Sequence, residues 1–203
     1  MSKTRAKKIK LLLFDVDGVM TDGKLWIFPS PPLAKPAPRL RSGQAPGRAP
    51  KGTLDEIEVK GFHAHDGTAI SLARMGGLKT GLISRRTSET VALRARALKL
   101  DYVYQGVMVK IQVFEEILGK EMITATEVAY VGDDVIDLPI MRRCGFAVAV
   151  ANARDEVKEE AHWVTPHAGG EGAIRDAAEY ILRAQGRWDS VVKRYLERGD
   201  APK

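Results

Sequence analysis

Short apolar runs alternate with stretches of helical period along most of this chain. Leu11-Leu-Leu-Phe14 is brief, continuous and stopped by polar residues, the pattern of a strand buried on both faces. Lys79 to Ile83, Tyr102 to Tyr104, Val128 to Val131, Phe146 to Val150 and Trp163-Val164 read the same way. Between them, Asp66 to Met75 carries Ala69, Ile70 and Ala73 at helical spacing and ends at Gly76-Gly77. Thr87 or Ser88 can cap a helix running through Ala97 and Leu98, and Val109 to Leu118 shows a Val113, Phe114, Ile117 stripe. Helices over Asp134 to Arg143, around Glu156 to Ala161 and over Gly172 to Ala184 complete the set, and 185–203 is left as a C-terminal tail. Strands alternating with helices predict an α/β fold, a Rossmann-like parallel sheet with helices on both faces and right-handed crossovers.

One stretch breaks that rhythm. Lys24-Leu-Trp-Ile-Phe28 is aromatic and β-branched, and in Leu54 to Phe62 the residues Ile57, Val59 and Gly61 alternate with Glu56, Glu58 and Lys60. The pair predicts a small β-hairpin. Its strands are separated by Pro29 to Thr53, which holds seven of the ten prolines and almost nothing large and apolar. Such a segment cannot bury enough surface to offset its ordering entropy, so 29–53 is predicted to be a disordered insert in a single domain over 1–203.

Chemistry gathers at two of the strand ends. Asp15-Val-Asp17-Gly18 follows the first apolar run, and Gly132-Asp133-Asp134-Val-Ile-Asp137 follows the run ending at Val131. A bare pair of aspartates is common in solvated loops. Two such clusters, each just past a parallel strand, argue instead for one shared cation, because open α/β sheets place their sites at strand C-termini.

These residues resemble the four motifs of the haloacid dehalogenase-like phosphatases. Asp15-Val-Asp17-Gly-Val matches the first, Ser84 the second, Lys110 the third, and Gly132-Asp133-Asp134 with Asp137 the fourth. Phe62-His-Ala-His-Asp66-Gly67, Tyr104-Gln-Gly-Val107, Tyr130-Val-Gly-Asp-Asp134, Ala147-Val-Ala-Val150 and Gly169-Gly-Glu-Gly-Ala-Ile-Arg175 are similar to the branch acting on 3-deoxy-D-manno-octulosonate 8-phosphate. The resemblance spans about residues 9 to 188, interrupted once. It implies a hairpin in place of a cap domain and a phosphomonoester hydrolase working through an aspartyl-phosphate.

By that resemblance Asp15 is the nucleophile and Asp17 the acid and base, with Ser84 and Lys110 holding the phosphoryl group. Mg²⁺ suits an all-oxygen site; the implied ligands are Asp15, Asp133 and the carbonyl of Asp17. Asp134 and Asp137 are read either as support for that site or as helix caps. The implied substrate shell is Asp17, His63, Ala64, His65, Asp66, Gly67, Ser71, Arg86, Arg94 and Lys110. Arg94 is equally readable as a surface helix residue, and His63 with His65 has the spacing of a metal pair. The chain departs from the branch where Ser84-Arg85-Arg86 replaces Thr-Gly-Arg and where His65 replaces an arginine. A C9 sugar-acid 9-phosphate of the sialic-acid type is the alternative substrate.

Composition changes this picture little. Of 203 residues, 44% are hydrophobic and 29% charged, ordinary for a soluble globular chain. The net charge of +6 invites a nucleic-acid reading, but Lys35, Arg39, Arg41, Arg48 and Lys51 lie in the acid-free insert and supply most of it. A binding role for that basic insert is the non-enzymatic alternative. Cys144 stands alone, no apolar run has the length of a signal peptide or membrane helix, and a cytoplasmic enzyme is expected. The resemblance further implies a homotetramer, a small-molecule sugar-acid phosphate substrate from lipopolysaccharide synthesis, no nucleic acid and no membrane.

Overall fold

The computed structural model describes residues 1–29 and 56–198. The disorder expected over 29–53 falls almost wholly outside the described residues. Six parallel strands form one sheet in the order β5-β4-β1-β6-β7-β8: β1 (Leu11–Phe14), β4 (Lys79–Ile83), β5 (Tyr102–Tyr104), β6 (Val128–Gly132), β7 (Phe146–Ala149) and β8 (Trp163–Val164). Every residue of β1, β6 and β7 is buried, so the middle of the sheet is covered on both faces. Helix α2 (Ala64–Met75) packs on α7 (Ala173–Ala184), which also meets α1 (Ser2–Ala6) and α8 (Trp188–Arg198). A second group joins α4 (Lys110–Glu121), α5 (Leu138–Met141) and α6 (Asp155–Glu160). Helix α3 (Glu89–Leu98) follows β4, its first turn capped by the Ser88 hydroxyl, which accepts from the Val91 amide. No described helix is long and apolar enough to cross a membrane.

Most elements fall where the pattern places them, and the exceptions have physical causes. The helix expected over 134–143 is broken into a 3₁₀ turn, Val135–Asp137, and the short α5. Asp134 and Asp137 cap that turn reciprocally, and Pro139 in the first turn of α5 brings no amide hydrogen. The expected tail contains α8, anchored by the buried Trp188, whose ring centroid has the guanidinium groups of Arg175 and Arg183 at 5.0 and 4.9 Å.

The hairpin is a separate two-stranded sheet, β2 (Trp26–Pro29) against β3 (Glu56–Val59), shorter than the runs that predict it. Its register pairs Trp26 with Val59, Ile27 with Glu58 and Phe28 with Ile57. Side chains alternate across a strand, so Trp26, Phe28, Ile57 and Val59 share one face. Those four are 45–55% exposed. The opposite face carries Glu58, and Lys60 just beyond β3 keeps the same phase.

Candidate active site

The sheet register brings three strand ends level. Phe14 lies beside Leu82 on one side and Val131 on the other, so Asp15, Ser84 and Asp133 fall within a residue or so of one another along the C-terminal edge. The Asp15 amide donates to the Val131 carbonyl at 3.0 Å, extending the ladder one residue past β1. Gly18 then turns the chain at φ +89°, and a Cβ there would stand 2.1 Å from an Asp133 carboxylate oxygen. Glycine is required on both counts.

Carboxylate oxygens of Asp15, Asp133 and Asp137 all lie within 4.8 Å of one another. Their roles differ by what already holds them. Asp137 is saturated: Oδ1 accepts from Lys110 Nζ at 2.8 Å and the Tyr130 hydroxyl at 2.7 Å. Its Oδ2 accepts from the amides of Asp133 at 3.0 Å and Asp134 at 3.4 Å. Asp15 Oδ1 accepts from the Val16 amide at 2.7 Å, and Oδ2 pairs with Lys110 at 2.7 Å. Asp133 Oδ1 is buried without any protein partner.

Burial above all, then the Asp137 and Asp15 charges, pushes the Asp133 carboxyl up to about 8. Asp15 is raised to about 6, again by burial first and by Asp137, with Lys110 pulling the other way. Burial works against the Lys110 ammonium, yet Asp137 and Asp15 hold its proton and raise it above the ordinary lysine value. Two strained carboxylates around an unfilled acceptor are what a divalent cation with oxygen ligands would relieve. Asp17, expected among the metal ligands through its carbonyl, keeps its carboxylate outside this triplet.

The Asp17 carboxylate instead contacts Lys60 Nζ through Oδ1, with Arg86 Nε at 3.8 Å from Oδ2. Lys60 also reaches Glu58 at 3.4 Å. Glu58 accepts from the Ser88 hydroxyl and lies 3.4 Å from Arg86. Ser84 is buried at the end of β4, its Oγ accepting from the Arg86 amide at 3.2 Å.

The implied substrate shell lies around the start of α2. His63 is its N-cap and half-buried, with Nδ1 buried and unpartnered, and the His65 ring meets it edge-on at 4.8 Å. Ala64 and His65 are exposed, while Ser71 is half-buried a turn further along α2. Among the described residues no histidine joins a group able to hold a metal ion. Asp66 is buried, and its Oδ1 accepts from the Arg175 amide at 2.9 Å while Oδ2 has no partner. Arg94 is no free surface residue. Its guanidinium lies over Gly67, where a Cβ would come within 2.6 Å of Nη2, and 5.8 Å from the Phe62 ring centroid.

Three participants escape sequence reasoning. Lys60 falls in the polar phase of the hairpin alternation and so reads as solvated. Tyr130 stands in the Tyr130-Val-Gly-Asp-Asp134 motif, yet it reads there as one more apolar strand residue with no role for its hydroxyl. Glu58 carries no motif at all. The alternation rule tells which side of a strand a residue takes, not whether that side meets water or another charge.

This sheet order, with a nucleophile candidate after its central strand and an acidic cluster after the next, is the architecture of a haloacid dehalogenase-like hydrolase. A family model of that description matches residues 88–176. The 3-deoxy-D-manno-octulosonate 8-phosphate phosphatase of Salmonella typhi is 35% identical over 93% of this chain and 87% of its own length. The crystal structure of a probable YrbI family phosphatase from Pseudomonas syringae has a TM-score of 0.80 at 37% identity, covering 96% of each chain. The Moraxella catarrhalis 3-deoxy-D-manno-octulosonate 8-phosphate phosphatase, solved with a magnesium ion, a phosphate ion and a KDO molecule, gives 0.79 at 27% identity over 95% of this chain and 97% of that one. The chain belongs to the 3-deoxy-D-manno-octulosonate 8-phosphate phosphatase family of the haloacid dehalogenase-like hydrolases.

Proposed function

We propose that this chain hydrolyses the phosphate ester of 3-deoxy-D-manno-octulosonate 8-phosphate with Mg²⁺, through a phospho-Asp15 intermediate. The observation that carries the reading is the strand-end cluster in which one ammonium, Lys110, pairs with both Asp15 and Asp137 while a buried Asp133 oxygen is left without a partner. A Mg²⁺ ion held by Asp15, Asp133 and the Asp17 carbonyl would offset the charge of the carboxylates and of the phosphoryl oxygens. Asp137 sets the cluster's shape without being free to ligate.

An Asp15 oxygen attacks phosphorus, and the ester P–O bond breaks as its electron pair passes to the sugar oxygen. That oxygen takes a proton from the Asp17 carboxyl. Water then attacks the phospho-Asp15 phosphorus, gives its proton to Asp17 and releases inorganic phosphate with the Asp15 carboxylate. Lys110 and the Ser84 hydroxyl hold the phosphoryl oxygens throughout, because both are buried and fixed beforehand. Arg94, with His63, Ala64, His65, Asp66, Gly67 and Ser71 of the same region and Arg86 across from it, receives the sugar acid. We further propose a cytoplasmic enzyme that assembles as a homotetramer; the exposed apolar face of the hairpin supports self-association.

The test is turnover of a panel of C6 to C9 sugar and sugar-acid phosphates, with Mg²⁺ and after chelation. The C8 sugar-acid ester should lead the panel, chelation should abolish turnover, and Asp15→Asn should do the same. Full activity after thorough chelation, or in Asp15→Asn, would overturn the reading.

A further inference from the structure

Among the described residues two lysines are buried, Lys110 in the acidic cluster and Lys60 beside the hairpin. The side chain of Lys60 is 0% exposed. A lysine that follows an edge strand in its polar phase ordinarily keeps its ammonium in water, so partners must hold this one in place. They are Asp17 Oδ1 and, at 3.4 Å, Glu58. Lys60 and Glu58 sit two residues apart on the same face of the hairpin, so the pleat itself aims both at the first loop of the site.

Glu58 is fixed in turn from a third direction. The Ser88 hydroxyl donates to its carboxylate, Arg86 Nη2 lies at 3.4 Å, and the Thr90 hydroxyl donates to its carbonyl at 3.3 Å. The network therefore ties together the loop after β1, the base of the hairpin, and the turn from β4 into α3. Asp17 is the only member at the chemistry. Its other cation, Arg86, stands 3.8 Å away and is 45% exposed, too loose a partner to set the carboxyl's orientation alone.

We propose that Lys60, braced by Glu58, is the positioning residue for Asp17, holding its carboxyl in the one orientation from which it reaches the departing ester oxygen. This rests on the function proposed above. The consequence is specific: loss of Lys60 harms the step in which the leaving oxygen needs a proton, and spares esters whose leaving group departs as a stable anion.

The experiment compares kcat/KM, which reports the first phosphoryl transfer, for phenyl phosphate and p-nitrophenyl phosphate in the full chain with Mg²⁺. The two esters share one ring, and only the first needs protonation to leave well. Lys60→Met should lose on the order of 10²-fold on phenyl phosphate and under about threefold on p-nitrophenyl phosphate, in the range that positioned proton transfer contributes. Lys60→Arg should restore most of the phenyl phosphate rate. Should Lys60→Met fail to fold, Glu58→Gln, which removes only the charge of the partly buried brace, carries the same comparison with a smaller selective loss. Equal losses on both esters, or no loss on either, would overturn the proposal and make Lys60 a hairpin anchor only. A wild-type chain that hydrolyses neither ester nor any sugar phosphate would instead fail the proposed function, and this assignment with it.

Discussion

Asp137 shows how one residue can govern a site without touching the reaction. Four donors converge on its two oxygens, and two of them are backbone amides that leave no freedom in how the carboxylate sits. Asparagine at this position would turn an amide donor toward one pair of those donors and leave Lys110 facing Asp15 alone. Lys110 keeps Asp15 as its counter-ion, so the loss is of an acceptor for buried donors, which costs about 1–3 kcal/mol; Asp137→Asn should lower unfolding free energy in urea by that order and also inactivate the enzyme. Stability within 1 kcal/mol of wild type, on the order of an exposed pair, would mean that the four contacts are not made together. Gly18 gives a sharper local test, because a methyl group would stand 2.1 Å from an Asp133 oxygen and φ is +89°. Gly18→Ala should cost about 1–3 kcal/mol of strain and abolish Mg²⁺-dependent turnover by displacing Asp133; thermal melts and an activity assay decide it. Asp15 and Asp133 are legible in the sequence because each follows an apolar run that can only be a buried strand. Lys60 is not, since charge and alternation together describe a solvated residue and only the tertiary fold supplies Asp17 and Glu58 as partners.

Between elements, the join of α2 to α7 depends on a borrowed cap. Gly172 is the N-cap of α7 and has no side chain, so Asp66, from the first turn of α2, reaches across to accept from the Arg175 amide at 2.9 Å. Burial raises the Asp66 carboxyl above its ordinary value, against the lowering pull of that amide and of His63, while Asp176 adds to the rise. The folded chain therefore keeps a proton on Asp66 that the unfolded chain has already released. Stability contributed at this position is present below the ordinary carboxylate value and declines as pH rises through the raised one. Asp66→Asn keeps the carbonyl acceptor for Arg175 and removes the titration. Urea melts at pH 4, 5.5 and 7 should show the variant gaining on wild type as pH rises, and a constant difference would refute the link. The same helices mark the limits of periodicity. The sequence signal for α2 and α4 is a stripe long enough to read and that for α3 a cap before it; these helices form, as does α7, expected over 172–184. Helix α8 carries a stripe too, in Trp188, Val191, Val192 and Tyr195, but charged neighbours mask it. The break before α5 is invisible to periodicity, because it arises from the reciprocal caps of Asp134 and Asp137 and not from any loss of apolar spacing.

For the molecule as a whole, the site lies at one edge of the sheet and a surface still to be buried rises from that same edge. Glu58 and Lys60 turn one face of the hairpin toward Asp17, and the pleat then sends Trp26, Phe28, Ile57 and Val59 outward as a set. A two-stranded hairpin with an apolar face is at best marginal alone in water, and a contiguous apolar patch of this kind marks a contact surface. Copies of this chain are the occupants proposed for it, and the argument has a direct test in the cross-strand pair Phe28–Ile57. Both side chains are about half exposed in the single chain, so replacing them removes little packing within it. Phe28→Glu together with Ile57→Glu would place like charges opposite each other at the centre of the contact face. Wild-type protein at micromolar concentration should sediment as a tetramer and the double variant as a monomer with near wild-type helix content by circular dichroism. If neighbouring copies complete the sugar-acid site, the monomer should lose kcat/KM on the sugar-acid phosphate by more than on p-nitrophenyl phosphate, which needs only the cluster around Asp15. A monomeric wild type, or a tetramer that survives both substitutions, would show that the hairpin's outer face is not the surface that joins the copies.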